Sequence, residues 1–119
     1  MKIAVTTSGD NLAAPLDSRF GRAARFLIYD TDTKGFQLVD NSQNLNAAQG
    51  AGIQAAQTVA NAGVNSLITG HCGPKAFRVL QVAGIEIFNC AAATVEEALG
   101  LLKEGKLQAA NEADVEGHW

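Results

Sequence analysis

The stretch Ser66-Leu67-Ile68-Thr69-Gly70-His71-Cys72-Gly73-Pro74-Lys75-Ala76-Phe77 leaves this chain few ways to fold. Residues suited to a buried strand run into Gly70, and a helical pattern begins at Pro74. Proline is tolerated at the first helical position because an N–H there has no intrahelical partner. His71, Cys72 and Gly73 therefore fall in a tight turn, with Gly73 near the N-cap. The first amides of the helix and the positive end of its dipole then point at whatever lies above the turn, and both favour an anion. A thiol and an imidazole at the same place suit metal binding, and the dipole favours the thiolate. The helix runs from Pro74 to about Ala83, Gly84 ends it, and Ile85-Glu86-Ile87-Phe88-Asn89 is the next strand. That makes a βαβ unit, expected to be parallel with a right-handed crossover.

The front half reads differently. Lys2–Thr6 is a short apolar strand, and Thr7-Ser8-Gly9-Asp10-Asn11 is turn chemistry. From Leu12 to Arg25 no periodicity holds, so a loop of about a dozen residues is expected; loops of that length are usually functional or disordered. Its Pro15, Leu16 and Phe20 predict that it packs down. Arg25–Asp30 and Phe36–Asp40 form two strands of a hairpin. A polar link follows, with Asn44 and Asn46 placed to close over the same edge. From Gly50 to Ala62 the apolar spacing is helical, with Gln54, Gln57, Thr58 and Asn61 as the polar stripe and Gly63 beyond the end. The last helix opens on the capping box Thr94-Val95-Glu96-Glu97 and ends at Lys103, with Gly105 just past it.

The predicted order is βββαβαβα. A front hairpin joined to a parallel back half gives an α/β fold: a five-stranded mixed sheet with helices on its faces, the three-layer ribonuclease-H-like layout. One domain covers residues 1–105, and residues 106–119 form a polar, acidic C-terminal tail. The whole chain has 119 residues, enough for one core.

Charge narrows the function. The formal net charge is −3, which argues against a general binder of nucleic acid or acidic membrane. The distribution is uneven: Arg19, Arg22 and Arg25 sit within seven positions, whereas from Glu86 onward there are seven acids against Lys103 and Lys106. An anion is drawn to the front loop. No apolar run approaches the ~20 residues of a membrane helix and no leader is visible, so a cytoplasmic protein is expected. Two cysteines do not make a disulfide framework. Nuclease chemistry on such a fold needs clustered carboxylates at the sheet centre; Ile3-Ala4-Val5 offers none.

Two modes of binding remain. In the first, His71 and Cys72 ligate metal from the turn and Cys90 approaches from the end of the next strand. The bland alternative is two small buried cysteines and a hydrogen-bonded turn histidine. In the second, a large anion is held by Arg19, Arg22 and Arg25 around Gly21, by amides near Gly70, Gly73 and Lys75, and by apolar surface from Phe20. Arginine's planar, weakly hydrated fork suits a soft, diffuse anion. A solvated cluster with Arg19 bonded to Asp17 is the corresponding alternative. His118 is a remote ligand candidate, and Trp119 reads as a tail anchor.

Several segments together resemble the dinitrogenase iron–molybdenum cofactor biosynthesis family. They are Leu16-Asp17-Ser18-Arg19-Phe20-Gly21-Arg22-Ala23 with the strand Phe26–Asp30, and the helix opening Gly50-Ala51-Gly52-Ile53-Gln54-Ala55-Ala56. The turn from Thr69 to Phe77, Ala83-Gly84-Ile85 and Thr94–Ala98 complete the set. The resemblance covers residues 1 to about 105 and is closest to small stand-alone members. It implies a ribonuclease-H-like fold and non-catalytic binding or carrying of a metal–sulfur cluster, either a molybdenum–copper sulfide or an iron–molybdenum precursor. The cluster is held covalently or non-covalently for storage or cofactor assembly. An ATPase or cofactor-assembly protein is the implied partner, with the chain itself a monomer or weak dimer. The rival expectation is a binding module for a phosphorylated metabolite or nucleotide at the 70–75 helix N-terminus. Neither a G-x-x-x-x-G-K-[ST] nor a G-x-G-x-x-G motif supports that rival.

Overall fold

A computed structural model describes residues 1–41 and 51–110. The link carrying Asn44, Asn46 and Gly50, and the tail end carrying His118 and Trp119, lie outside the described residues. The elements are β1 (Lys2–Thr7), β2 (Arg25–Asp30), β3 (Phe36–Asp40), α1 (Ala51–Asn61), β4 (Ser66–Thr69), α2 (Pro74–Val82), β5 (Glu86–Asn89) and α3 (Val95–Lys103). They form one five-stranded sheet in the order β3-β2-β1-β4-β5. β1 pairs antiparallel with β2 and parallel with β4, β2 pairs antiparallel with β3, and β4 pairs parallel with β5. The mixed three-layer architecture expected from the element order is the one observed.

Strand alternation sorts the core into two layers. Ala4, Phe26, Ile28, Leu67 and Ile87 point to one face, where α1 supplies Ala55, Ala56 and Val59 and α2 supplies Ala76, Phe77 and Leu80. Ile3, Val5, Leu27, Ile68 and Phe88 point to the other, under Val95 and Ala98 of α3. The alanines of α1 let that helix sit close to the sheet, and its polar Gln54, Gln57 and Asn61 are exposed as the spacing requires. The helices stop where glycine permits it: Gly63, Gly84 and Gly105 have φ of 74°, 78° and 72°.

The three parallel strands end on the same side of the sheet, at Thr7, Thr69 and Asn89. β2 begins there at Arg25, because Thr7 pairs with Arg25, and β3 ends there at Asp40. All three helices run back from that edge. β1 connects onward to β2 on one side, while its parallel neighbour β4 leads to β5 on the other, so the chain's direction of travel reverses between β1 and β4. In open α/β sheets ligands bind at such a switch point, outside the carboxyl ends of the strands.

The segment after α3 adds to the sheet's far edge. Ala109 lies antiparallel beside Phe88, and the Ala110 N–H donates to the Ile87 carbonyl at 2.7 Å.

The N-terminus of α3 is closed by its own sequence. The Glu97 N–H donates to the Thr94 hydroxyl at 3.2 Å. The Val95 and Glu96 N–H groups donate to the carbonyls of Ala14 and Leu12 at 3.0 and 2.8 Å. The front loop is therefore tied to α3 through the cap. Thr94→Ala is expected to cost about 1 kcal/mol of stability, read by urea denaturation followed by circular dichroism, with most of the loss at α3.

Candidate anion site at the strand ends

The switch point between β1 and β4 is filled by the front loop. The Asp17 N–H donates to the Thr6 carbonyl at 2.9 Å, and the Thr6 hydroxyl donates back to the Asp17 carbonyl at 2.7 Å. The same hydroxyl shares a hydrogen bond with Thr69 on β4 at 3.0 Å, so a buried pair of threonines underlies the crevice. One step further out the loop pairs with the turn: the His71 N–H donates to the Ser18 carbonyl at 2.7 Å, and the Phe20 N–H donates to the His71 carbonyl at 3.1 Å. Arg19 and His71 thus lie side by side in parallel.

Gly70 makes this contact possible. A Cβ there would sit 2.6 Å from the Ser18 Cα and 2.7 Å from its carbonyl oxygen, both backbone atoms that cannot swing away. On its other side the Gly70 carbonyl accepts from the Asn89 side-chain amide at 3.1 Å. The turn is held from both flanks before any ligand arrives.

Around this junction the residues singled out from sequence separate into two groups. Arg19 and His71 are paired neighbours and, like Lys75 in the first turn of α2, are exposed, with Arg22 half-buried beside the buried Gly21. Arg19 is oriented from below: its N–H donates to Asp17 Oδ1 at 2.9 Å, and its Nε lies 3.7 Å from the same oxygen. Because the Arg19 side chain remains 46% exposed, that surface pair is worth little and leaves the guanidinium reachable. Gly73 is the N-cap of α2, with extended backbone and no side-chain cap, followed by Pro74 in the first turn. The tight turn, the proline and the uncapped helix end are as the sequence predicts.

Four predicted site residues make contacts of their own within the fold. Phe20 is a core residue, 1% exposed, its ring centroid 5.5 Å from that of Phe26. It anchors the loop from beneath and offers no apolar surface to a ligand. Arg25 bends back onto the opposite turn, donating to the carbonyls of Ser8 and Gly9 at 3.4 and 3.3 Å. Cys90 does not approach Cys72. It packs in the α3 layer and accepts the Ala92 N–H at 3.4 Å, whereas Cys72 packs in the α1/α2 layer, so the sheet separates the two thiols. Cys72 itself is 1% exposed, its thiol turned toward the Gly73 carbonyl at 3.7 Å. Among the described residues no group of three or more His, Cys, Asp and Glu side chains is arranged to hold a metal ion. The geometry suits an anion met by cations and amides better than a metal ion ligated by thiolates.

Two positioning residues gave no sequence signal. Asn41 looks like the first residue of a polar link, yet it is fully buried. Its amide donates to the Ala23 carbonyl at 2.7 Å and approaches that of Gly21 at 3.4 Å, and its N–H donates to Ala24 at 2.9 Å. It thereby pins the backbone on both sides of Arg22. Asn89 does the same for Gly70.

Residues 1–105 match the family described as dinitrogenase iron-molybdenum cofactor. The apo form of the orange protein from Desulfovibrio gigas is similar in structure, with a TM-score of 0.93 and 40% identity over 96% of each chain. A NifB-like Thermotoga protein of the DUF35 family gives a TM-score of 0.85 and 32% identity over 98% of each chain. An uncharacterised protein from Methanocaldococcus jannaschii is 32% identical over 111 residues, 91% of this chain and 90% of its own length.

Two substitutions separate the roles of the junction. Gly70→Ala must displace the Ser18 backbone and is expected to cost about 1–3 kcal/mol. Phe20→Ala is expected to cost about 3–5 kcal/mol through the cavity it leaves. Both are read by chemical denaturation; a Phe20→Ala cost under about 1 kcal/mol would mean the ring does not anchor the loop.

Proposed function

The chain belongs to the dinitrogenase iron-molybdenum cofactor family, and from that premise we propose that it is a non-catalytic carrier of a metal–sulfur cluster. The cluster is cargo, a soft polyanion seated at the carboxyl ends of β1 and β4 and delivered to a cofactor-assembly partner. A molybdenum–copper sulfide is the form that fits first, given the likeness to the orange protein, with an iron–molybdenum precursor as the other member of the same class.

The observation that carries this reading is the junction of Arg19 with His71, beside the uncapped N-terminus of α2. An anion there meets a guanidinium, an imidazole, the Lys75 ammonium and the positive end of a helix on one ledge. Arg22 adds charge from the adjoining loop. The donors are cations and N–H groups, which bind the sulfides of a preformed cluster from outside and leave its metals fully coordinated by sulfur. That arrangement also allows release, since no metal–protein bond has to break on transfer. Cys72 belongs to the support of the turn, buried against the helices. No helix among the described residues is long and apolar enough to cross a membrane; the cytoplasmic placement we infer rests on the family.

Anaerobic reconstitution with tetrathiomolybdate and copper(I), followed by gel filtration, visible spectra and metal and sulfide analysis, tests the reading. Wild-type protein is expected to elute coloured, with metal in fixed ratio to protein. The double variant Arg19→Ala, Arg22→Ala is expected to bind about tenfold or more weakly, at nearly unchanged melting temperature. Cys72→Ala is expected to retain the cluster within about twofold, though less stable as a fold. Cluster loss in Cys72→Ala with retention in the arginine variant would overturn the outer-sphere arrangement. A colourless wild type that instead binds phosphate monoesters would overturn the carrier reading.

A further inference from the structure

β3 is an edge strand of the sheet, and the way it is built points outward. Four of its five residues, Phe36, Gln37, Leu38 and Asp40, are exposed, with Phe36 and Leu38 at 41% and 40%. The pairing with β2 fixes which backbone groups face away. The Asp30 N–H donates to the Gly35 carbonyl, and the Asn41 N–H donates to the Ala24 carbonyl, each at 2.9 Å. In an antiparallel ladder bonded and non-bonded pairs alternate, so Gln37 and Val39 turn their N–H and carbonyl groups toward β2. Phe36, Leu38 and Asp40 turn theirs away from β2, to an edge that no other described strand occupies. Between Phe36 and Asp40 this edge carries no proline, no bulge and no lysine, the usual devices against pairing.

The sequence of the edge is complementary to itself. Laid antiparallel about a twofold axis at Gln37, Phe36 of one copy stands opposite Leu38 of the other, and the reverse. Those are the residues whose backbone groups face outward, so each pair can exchange both of its bonds. Gln37 then stands opposite its own equivalent in a non-bonded pair. The same register brings Lys34 of each copy to the end of the ladder held by Asp40 of the other, opposite charges at both ends. Phe36 and Leu38 share the face of their cross-strand neighbours Tyr29 and Leu27. Pairing therefore extends one apolar row across both copies, from a 530 Å³ groove lined by Tyr29, Leu99 and Leu102 in each. An isologous contact of this kind closes on itself and does not propagate.

We propose that a second copy of this chain pairs with β3 in that register, joining two sheets into one ten-stranded sheet. The cluster site lies at the strand ends and on the α1/α2 side, so it stays open in the pair. The pairing does not rest on the cluster-carrier reading and can fail or hold independently of it.

Sedimentation equilibrium and disulfide trapping test the register. Wild-type protein is expected to show a concentration-dependent monomer–dimer equilibrium. Leu38→Pro removes an outward N–H while leaving the bonds to β2 in place, and is expected to weaken dimerisation about tenfold or more. Its circular dichroism melt checks that the monomer still folds. Gln37→Cys places a thiol on the twofold axis in a non-bonded pair, where Cα atoms stand about 4.5 Å apart, near the span a disulfide accepts. Under mild oxidation it is expected to form covalent dimer at least about tenfold faster than Val82→Cys, a control on exposed α2. A strictly monomeric wild type at millimolar concentration would overturn the proposal. So would a dimer indifferent to Leu38→Pro, or trapping of Gln37→Cys no faster than the control, since each puts the contact elsewhere.

Discussion

The site depends on the close approach of two backbones, Ser18 in the front loop and Gly70 at the end of β4. The loop crosses the crevice between β1 and β4 at a distance that no side chain at position 70 would allow. Once it lies there, the His71 and Phe20 amides are satisfied by one another's segments, and the Thr6 and Thr69 hydroxyls below have partners. The place where open α/β sheets commonly leave a pocket is sealed by the protein's own chain. On the reading proposed above, binding is displaced outward, onto the surface that the loop and the turn make together and onto the charges the loop carries.

The helix ends divide the labour in the same way. All three begin at this edge, so each brings a positive dipole end to it. That of α3 is spent on the fold, its amides taken by Thr94, Ala14 and Leu12. That of α2 has proline in its first turn and glycine at its cap, so the cap residue has no side chain to accept from it. A side-chain cap of its own is what α2 lacks, and on the proposed reading an anionic ligand supplies it. The same loop that caps α3 presents Arg19 beside the turn that leads into α2, so cap and site are coupled through the short stretch from Leu12 to Arg19.

Much of this was legible before the structure. Apolar alternation gave the strands, the glycines after each helix marked ends that do adopt positive φ, and Thr94 is the cap its spacing predicts. The site was legible as a place but not as a set of side chains. Phe20 sits among arginines and glycine, a context that suits a ligand-facing ring and an anchoring ring equally; the fold beneath it decides. Asn41 reads as loop because polarity is all a sequence shows, and its burial depends on three carbonyls that the front loop brings to it. Part of the cysteine question was readable by parity: Cys90 falls two residues after Phe88 and so shares its face. The turn through Gly70 and Gly73 resets that count for Cys72, and glycine turns give no rule for where the chain re-enters.

The separation of the thiols bears on how a cluster would be held. A site that ligates metal through several protein thiolates must gather them on one side of the sheet and expose them. Here the sheet stands between Cys72 and Cys90, and bringing them together would mean unpacking one of the two core layers. What the edge does gather is donors: guanidinium groups, an ammonium, an imidazole and helix amides. Hydrogen bonds and charge act on the outer atoms of a bound anion, so they select for overall size, charge and softness and leave the metals inside unspecified. Such a site distinguishes a sulfide-rich polyanion from a small hydrated one mainly through the weaker hydration of the guanidinium, which loses less on meeting a soft surface. If the proposed reading holds, arginine at positions 19 and 22, where lysine would carry the same charge, is the part of the sequence in which that preference is written.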